Sequence, residues 1–349
     1  MNNFFINYGI FLAEAITVVL AILISLAGIL TIANKGKNKS KEKIELTKLN
    51  DKYDDLREML QQETLSKEEL KELKHKEKVK AKQEKLARKK SNRKDKKDLE
   101  TPIEKTKRRI FVLDFYGDIR ASEVENLRQE ITAILTIATP KDEVVVKIDS
   151  AGGMVHGYGL AASQLKRIRD RSIPLIAIVD KIAASGGYMM ACVADRILAA
   201  PFAILGSVGV ITQIPNFNRL LKKHDIDFEQ ISSGEYKRTL TMFGENTNKG
   251  RKKLQEEVND AHELFKSFVA DNRPVVDITA ISTGEHWYGI RAKELRLIDD
   301  ITTSDDYLLK TSEEADIYEI AFTVKKTMME KLSLSIHKAA TKLLTSINN

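Results

Sequence analysis

Apolar and polar positions along the 349 residues change their pattern three times. From Ile10 to Ala33 the chain is almost wholly apolar, with only Glu14 charged. That length suits one membrane-spanning helix, for which roughly 20 residues are needed. A cleaved signal peptide fits less well: no basic residue precedes the run, it is longer than a signal core, and no clear A-x-A site ends it. From Lys35 to Lys107 Lys, Glu, Leu and Gln dominate. Leu56, Leu60, Leu70, Leu73 and Leu86 are too sparse for a heptad seam, so this stretch reads as a charged helical stalk.

From Arg109 short β-branched runs alternate with helical periodicity. Ile110–Phe115 and Glu143–Ile148 read as strands, with a helix over Ala121–Ala138 whose apolar face is Val124, Leu127, Ile131, Ile134 and Leu135. A helix from Tyr158 to Asp170 and a buried strand, Pro174–Val179, follow. Alternation of this kind predicts an α/β domain. Ile173–Ile211 is apolar enough to suggest a second span, but Asp180, Lys181, Asp195, Arg196, the turn glycines and Pro201 predict packed strands and helices there. Beyond it the pattern gives a short helix over Pro215–His224, a strand over Phe228–Ile231, a long helix over Asn248–Asn272, a short helix at Asp305–Leu309 and a strand at Ile317–Phe322. In the tail, Met329, Leu332, Ile336, Ala340, Leu343 and Ile347 recur at helical spacing, which suits docking on the domain or on a membrane surface. The pattern divides the chain into 1–34, 35–107, 108–310 and 311–349.

Charge sharpens this division. The whole chain is +7, yet Lys35–Arg109 carries 27 Lys and Arg against 16 Asp and Glu, so the basicity belongs to one segment. Five lysines, Lys35 to Lys43, follow the apolar run and nothing basic precedes it, which favours a cytoplasmic location for the bulk of the chain. The basic run Ala87–Lys97 lacks interleaved aromatic residues, so a solvated linker is expected and no nucleic-acid partner. The single Cys192 excludes an internal disulfide.

Candidate chemistry centres on Val179–Ala194, V-D-K-I-A-A-S-G-G-Y-M-M-A-C-V-A. A strand ends there and Gly186-Gly187 opens a small-residue helix, so Ser185 sits at a strand-to-helix corner beside free N–H groups and the positive end of the helix. Those are the needs of a serine nucleophile, although a serine in this position is more commonly a helix cap. Ala183 departs from the G-x-S-x-G elbow of other hydrolases. Asp149-Ser-Ala-Gly-Gly-Met154 follows a strand, and its paired glycines let a backbone N–H face a ligand, as an oxyanion hole requires. Neither a phosphate loop nor a dinucleotide-binding glycine pattern occurs. For a base, His156 and His286 are conceivable, as is Lys237 in the polar loop Ser233–Thr247; a lysine serves only when burial lowers its pKa toward neutrality.

The motifs D-S-A-G-G, D-K-I-A-A-S-G-G-Y, G-E-Y-K-R-T-L-T-M-F-G-E-N-T and G-E-H-W-Y-G, in this order between Arg108 and Asp300, resemble the signal peptide peptidase A family of serine proteases, peptidase family S49. Its membrane-anchored branch matches best. The resemblance implies the Clp protease/crotonase-like α/β spiral fold, with Ser185 as nucleophile, Lys237 as general base, and the N–H groups of Gly153 and Gly186 as the oxyanion hole. It implies no metal or cofactor. Ala151 stands where the family usually has proline, which implies a less rigid turn and not a lost hole. Relatives form rings in which serine and lysine can come from neighbouring copies. With one catalytic unit per chain, a homo-oligomeric ring sharing the dyad between subunits is expected. The implied activity is a serine endopeptidase of the bacterial cytoplasmic (inner) membrane, anchored in the bilayer through residues 10–33, acting on apolar peptides or membrane-protein fragments. The resemblance favours the outer face of that membrane and the lysines the inner one. Rival readings are acyl-CoA chemistry on the same fold and a non-enzymatic membrane scaffold.

Overall fold

The computed structural model describes residues 8, 10–14, 17–19, 42–73, 75–76, 78–79, 82 and 107–324. The expected span at Ile10–Ala33 lies for the most part outside the described residues, and the basic run Ala87–Lys97 and the tail from 325 lie wholly outside them. Among the described residues no helix is long and apolar enough to cross a membrane. The chain divides into two units, Glu45–Ala321 and its two ends, 1–44 with 322–349; the candidate site lies in the first.

A ten-stranded sheet organises it. Strands β1 (Glu42–Lys48), β2 (Arg109–Gly117), β3 (Glu143–Ser150), β4 (Leu175–Val179), β6 (Arg196–Ala199), β9 (Asp300–Ile301) and β10 (Asp316–Val324) lie in the order β1-β10-β2-β3-β4-β6-β9. The pairs from β10 to β9 are parallel. A parallel sheet is covered on both faces, which is why β2, β3 and β4 read as continuous apolar runs and not as alternating ones. One face carries Phe111, Leu113, Phe115, Val144, Val146 and Ile148. Helices α2 (Val124–Ile137) and α3 (Val155–Arg169) pack on it. The other face carries Ile110, Val112, Val145, Ile176 and Ile178 beneath α1 (Leu49–Thr64) and α9 (Ser304–Thr311).

The expected strands and helices at Ile110–Phe115, Ala121–Ala138, Glu143–Ile148, Pro174–Val179, Asn248–Asn272 and Ile317–Phe322 are present. Two expectations fail. Glu42–Lys48, taken with the charged helix, is strand β1 at the sheet edge. Its end is tied to the domain by Lys48–Asp316 at 3.0 Å, and α1 by Asn50, whose side chain donates to Ser312 O and Ala315 O and accepts from Ile317 N–H. Leu49 buries in the core. Tertiary partners override the local lysine and glutamate pattern here. Conversely, Phe228–Ile231 is not a strand. Its apolar residues are exposed and pair with no ladder within the chain, so β propensity has nothing to act on.

At its C-terminal end β3 forks. Val144–Lys147 pair with β4, while Ser150 pairs with Ala183 of β5 (Ile182–Ala184). From there β5 pairs with β7 (Ile204–Gly206), and β7 with the antiparallel β8 (His286–Tyr288). This fork brings the turn after β3 against the corner after β5.

Candidate active site

Helix α4 (Gly186–Ala191) starts directly after β5, and Ser185 is the residue between them. Every residue from Ala183 to Ala194 is buried except Ser185, which is half-buried. Its backbone has φ 52° and ψ −117°. An L-residue in such a region costs about 1–3 kcal/mol and persists only where its surroundings over-determine it. They do so here: Ser185 N–H donates to Gly206 O at 2.7 Å, and Ser185 O accepts from Met189 N–H at 2.9 Å. Among the described residues no group hydrogen-bonds Ser185 Oγ. The corner thus holds the hydroxyl clear of the core.

The D-S-A-G-G turn lies against this corner. A Cβ on Gly152, whose φ is +89°, would come within 2.8 Å of Ser185 Cβ and 2.7 Å of Gly186 N. Only glycine permits that approach. Gly152 N–H donates to Ser150 Oγ at 3.1 Å, and Met154 N–H to Ile119 O at 2.8 Å. Between them the Gly153 N–H has no acceptor among the described residues, nor has the Gly186 N–H at the start of α4. The structure therefore brings the D-S-A-G-G turn, through Gly152, against the Ser185–Gly186 corner, with one free backbone donor in the turn and one at the corner. Free amides held in position can stabilise a developing oxyanion without reorganising.

Lys237 is elsewhere. It is exposed in the segment between Val208 and α6 (Asn248–Asn272), and it lines a groove of about 790 Å³ with Ile214, Phe228, Ile231, Met242 and Phe243. No residue of the D-S-A-G-G turn or of the Ser185 corner lines this groove. The loop around Lys237 is braced locally: Glu235 pairs with Lys249, and the Tyr236 ring lies 5.8 Å from Lys249 Nζ and 5.4 Å from Lys253 Nζ. His156, in the first turn of α3, and His286, on β8, are both exposed, and neither ring makes a hydrogen bond among the described residues. Neither histidine is placed as a base for Ser185 by any contact within the chain.

The sequence pattern missed what supports the turn. Ser150 and Tyr158 are buried beneath it with their hydroxyls 2.5 Å apart. The signal available was a lone large aromatic, Tyr158, among the small residues V-H-G-Y-G-L-A-A at the start of α3. Cys192 is fully buried next to the corner, and burial pushes its thiol up to about 12. A neutral, enclosed thiol is no rival nucleophile to Ser185.

Comparison with known proteins identifies the family. Residues 3–165 match the model of the peptidase family S49 N-terminal region, and residues 167–318 that of peptidase family S49. The chain is 45% identical over 345 residues to "Probable protease SohB" of Haemophilus influenzae, covering 99% of this chain and 96% of that one. It is 56% identical over 234 residues to "Probable protease SohB" of Buchnera aphidicola subsp. Acyrthosiphon pisum, covering 67% and 70%. Among solved structures it is similar to a mutant form of the 1510-N membrane-bound stomatin-specific protease at 16% identity, with a TM-score of 0.40 and coverage of 59% and 84%. From its motifs, its family-model matches and its full-length relatives, the chain belongs to peptidase family S49 and is a peptidase.

Proposed function

We propose that this peptidase is a serine endopeptidase working through a Ser185–Lys237 dyad, with Gly153 and Gly186 as the oxyanion hole. The observation that carries the reading is the strained Ser185 corner packed against Gly152 of the D-S-A-G-G turn, with the unpaired N–H groups of Gly186 at the corner and Gly153 in the turn. Ser185 Oγ attacks the peptide carbonyl and Lys237, as the neutral amine, takes its proton. The carbonyl oxygen becomes an oxyanion between the two amides, and Lys237 passes the proton to the leaving amine. Water, activated by the same lysine, then hydrolyses the acyl-enzyme.

Within one chain Lys237 lines a groove that Ser185 does not, which supports a ring in which the lysine of one subunit reaches the serine of the next. The apolar run at Ile10–Ala33 supports a bilayer anchor, and the apolar lining of the groove suits apolar peptides or membrane-protein fragments as substrates. In this reading residues 1–34 are the anchor, 35–107 a basic segment, 108–310 the peptidase domain and 311–349 a tail. Strands β1 and β10 and helix α1 extend the domain at its edge. The site faces either side of the bacterial cytoplasmic membrane, and a reporter fused after Asn349 decides which.

The test is fluorophosphonate labelling of the detergent-solubilised full chain, with cleavage of a fluorogenic apolar peptide read in parallel. Labelling and cleavage are expected in the wild type and not in Ser185→Ala or Lys237→Ala. Mixing the two inactive variants under conditions of subunit exchange returns part of the activity when the dyad is shared. Wild-type labelling rates in Lys237→Ala would remove the lysine from the mechanism.

A further inference from the structure

Beneath the site, Tyr158 touches Gly186 directly and reaches the turn that carries Gly153 through Ser150. Its hydroxyl donates to Asp118 O at 2.7 Å and lies 2.5 Å from Ser150 Oγ. A tyrosine has one proton to give, so with that proton on Asp118 O the Ser150 hydroxyl donates to Tyr158 at 2.5 Å, in preference to the Gly117 carbonyl 3.3 Å away. Ser150 Oγ in turn accepts the Gly152 N–H at 3.1 Å. The bonds therefore run in one direction, Gly152 N–H to Ser150 to Tyr158 to the Asp118 carbonyl. Such chains polarise one another, and in a buried site they fix geometry strongly. Ser150 is 2% exposed and Tyr158 0%.

The other side of Tyr158 meets the helix. A Cβ on Gly186 would lie 2.3 Å from Tyr158 Cγ, so the base of the ring packs directly against Gly186. Room for the hydroxyl pair is left by Gly117, where a Cβ would lie 2.4 Å from both Ser150 Oγ and Tyr158 Oη. The turn is clamped from its far side as well, since Gly153 rests on the Ile119 carbonyl and Met154 N–H donates to it. One side chain thus holds the Ala151–Gly152 peptide, adjoining the peptide that bears the Gly153 N–H, through Ser150, and sets the seat of Gly186 through its ring.

We infer that Tyr158 and Ser150 are positioning residues that hold the two oxyanion-hole amides in mutual register, supplying by hydrogen bonds the stiffness that Ala151 does not give the turn. The inference rests on the assignment of Gly153 and Gly186 as the oxyanion hole. Loosening such a donor, short of removing it, is expected to cut kcat by about tenfold or more, because catalytic donors act only in the right place. Binding of the ground-state peptide uses other contacts, so KM is expected to stay within about twofold.

The experiment compares wild type, Tyr158→Phe, Ser150→Ala and the double variant as assembled full-length protein. It reads kcat, KM, fluorophosphonate labelling rate and deuterium exchange at residues 150–154. Tyr158→Phe keeps the ring against Gly186 and removes the relay, and Ser150→Ala carries the same test should Tyr158→Phe fail to fold. Expected are a fall in kcat and labelling at near-constant KM, faster exchange of the Gly152 amide, and a double variant within about twofold of the worse single one, as for residues acting in one network. Wild-type kcat in both single variants, a change confined to KM, or unchanged exchange overturns the inference while leaving the dyad intact. A wild type that neither labels nor cleaves overturns the dyad, and the inference with it.

Discussion

Around Ser185 the chain is buried on every side, whereas from Gly209 to Leu264 no residue is buried at all. The first region has its backbone held by β7, its glycines fitted to Tyr158 and Ser150, and its strain balanced inside the fold. The second is an arm whose order is local. Phe217, Phe228 and Phe243 stack among themselves, and Asn216 and Asn218 tie its two legs by hydrogen bonds to Thr241 O, Gly244 O and Phe243 O. It nonetheless shows Ile211, Leu220, Ile226 and Ile231 to solvent, Ile231 at 98%. Apolar surface on that scale marks an interaction face. The comparison teaches that the segment carrying the proposed nucleophile is held by its own fold, whereas the arm carrying Lys237 leaves apolar residues open, as the proposed shared dyad requires.

The largest expected effect tests this division directly. Ile231→Asp places a charge on the arm's most exposed apolar residue, where a single chain has nothing to lose. If the arm docks on a neighbour, the buried charge disrupts assembly, since leaving one unpaired is strongly unfavourable. Peptide cleavage is then expected to fall about 100-fold or more, the rate equivalent of about 2.7 kcal/mol. Size-exclusion chromatography shows smaller species while circular dichroism is unchanged. Retained assembly and activity would break the comparison. A smaller effect is expected from Tyr236→Ala, which removes the ring that Lys249 and Lys253 flank next to Lys237. Cation–π contacts at exposed sites are worth about 0.5–1 kcal/mol each. Loss of both predicts a fall in kcat of about tenfold with assembly intact, read by steady-state kinetics beside light scattering.

The same contrast explains what was legible in the sequence. Buried strands declare themselves through runs such as Val144-Val145-Val146, because a doubly covered parallel sheet demands them. The Ser185 corner was legible too, since a strand ending in A-S-G-G leaves few other conformations. Strand β1 was not, because its place is decided by Asn50 and Asp316, the latter far along the chain. Nor was the irregular path of Phe228–Ile231, whose β-branched and aromatic residues face solvent within this chain. The support given by Ser150 and Tyr158 was hidden for a related reason: hydroxyls at i and i+8 meet only once the fork of β3 has folded.

Strain at the corner gives a third prediction, of about 1 kcal/mol. Ser185→Gly removes the cost of a side chain at φ 52°, partly offset by the greater entropy of glycine in the unfolded chain. The thermal midpoint is expected to rise by about 2–4 °C. Ser185→Ala keeps the Cβ and is expected to leave it unchanged. Calorimetry of the two inactive variants separates relief of strain from loss of the hydroxyl; equal midpoints would mean that the corner stores none.

The smallest effect concerns acid. Asp118 accepts from Ser122 N–H at 2.8 Å, from the Ser122 hydroxyl and from Arg120 N–H, and these bonds, Ser122 N–H foremost, hold its carboxyl below the usual carboxylate range. A depressed folded pKa means stability that is fully present above the unfolded value of about 3.9 and lost as pH falls through the folded one. The Asp118 and Ile119 carbonyls receive Tyr158 and Met154, so protonation loosens the loop on which the D-S-A-G-G turn rests. Asp118→Asn is therefore expected to lower the thermal midpoint slightly at pH 7 and by progressively less as pH falls below about 3.9, where the wild type begins to lose the same contribution. A difference between wild type and variant that stays constant from pH 7 into the acid range would show that the carboxylate charge does not hold this loop. The rigidity of the serine half would then rest on the Tyr158 relay and the Ile119 carbonyl alone.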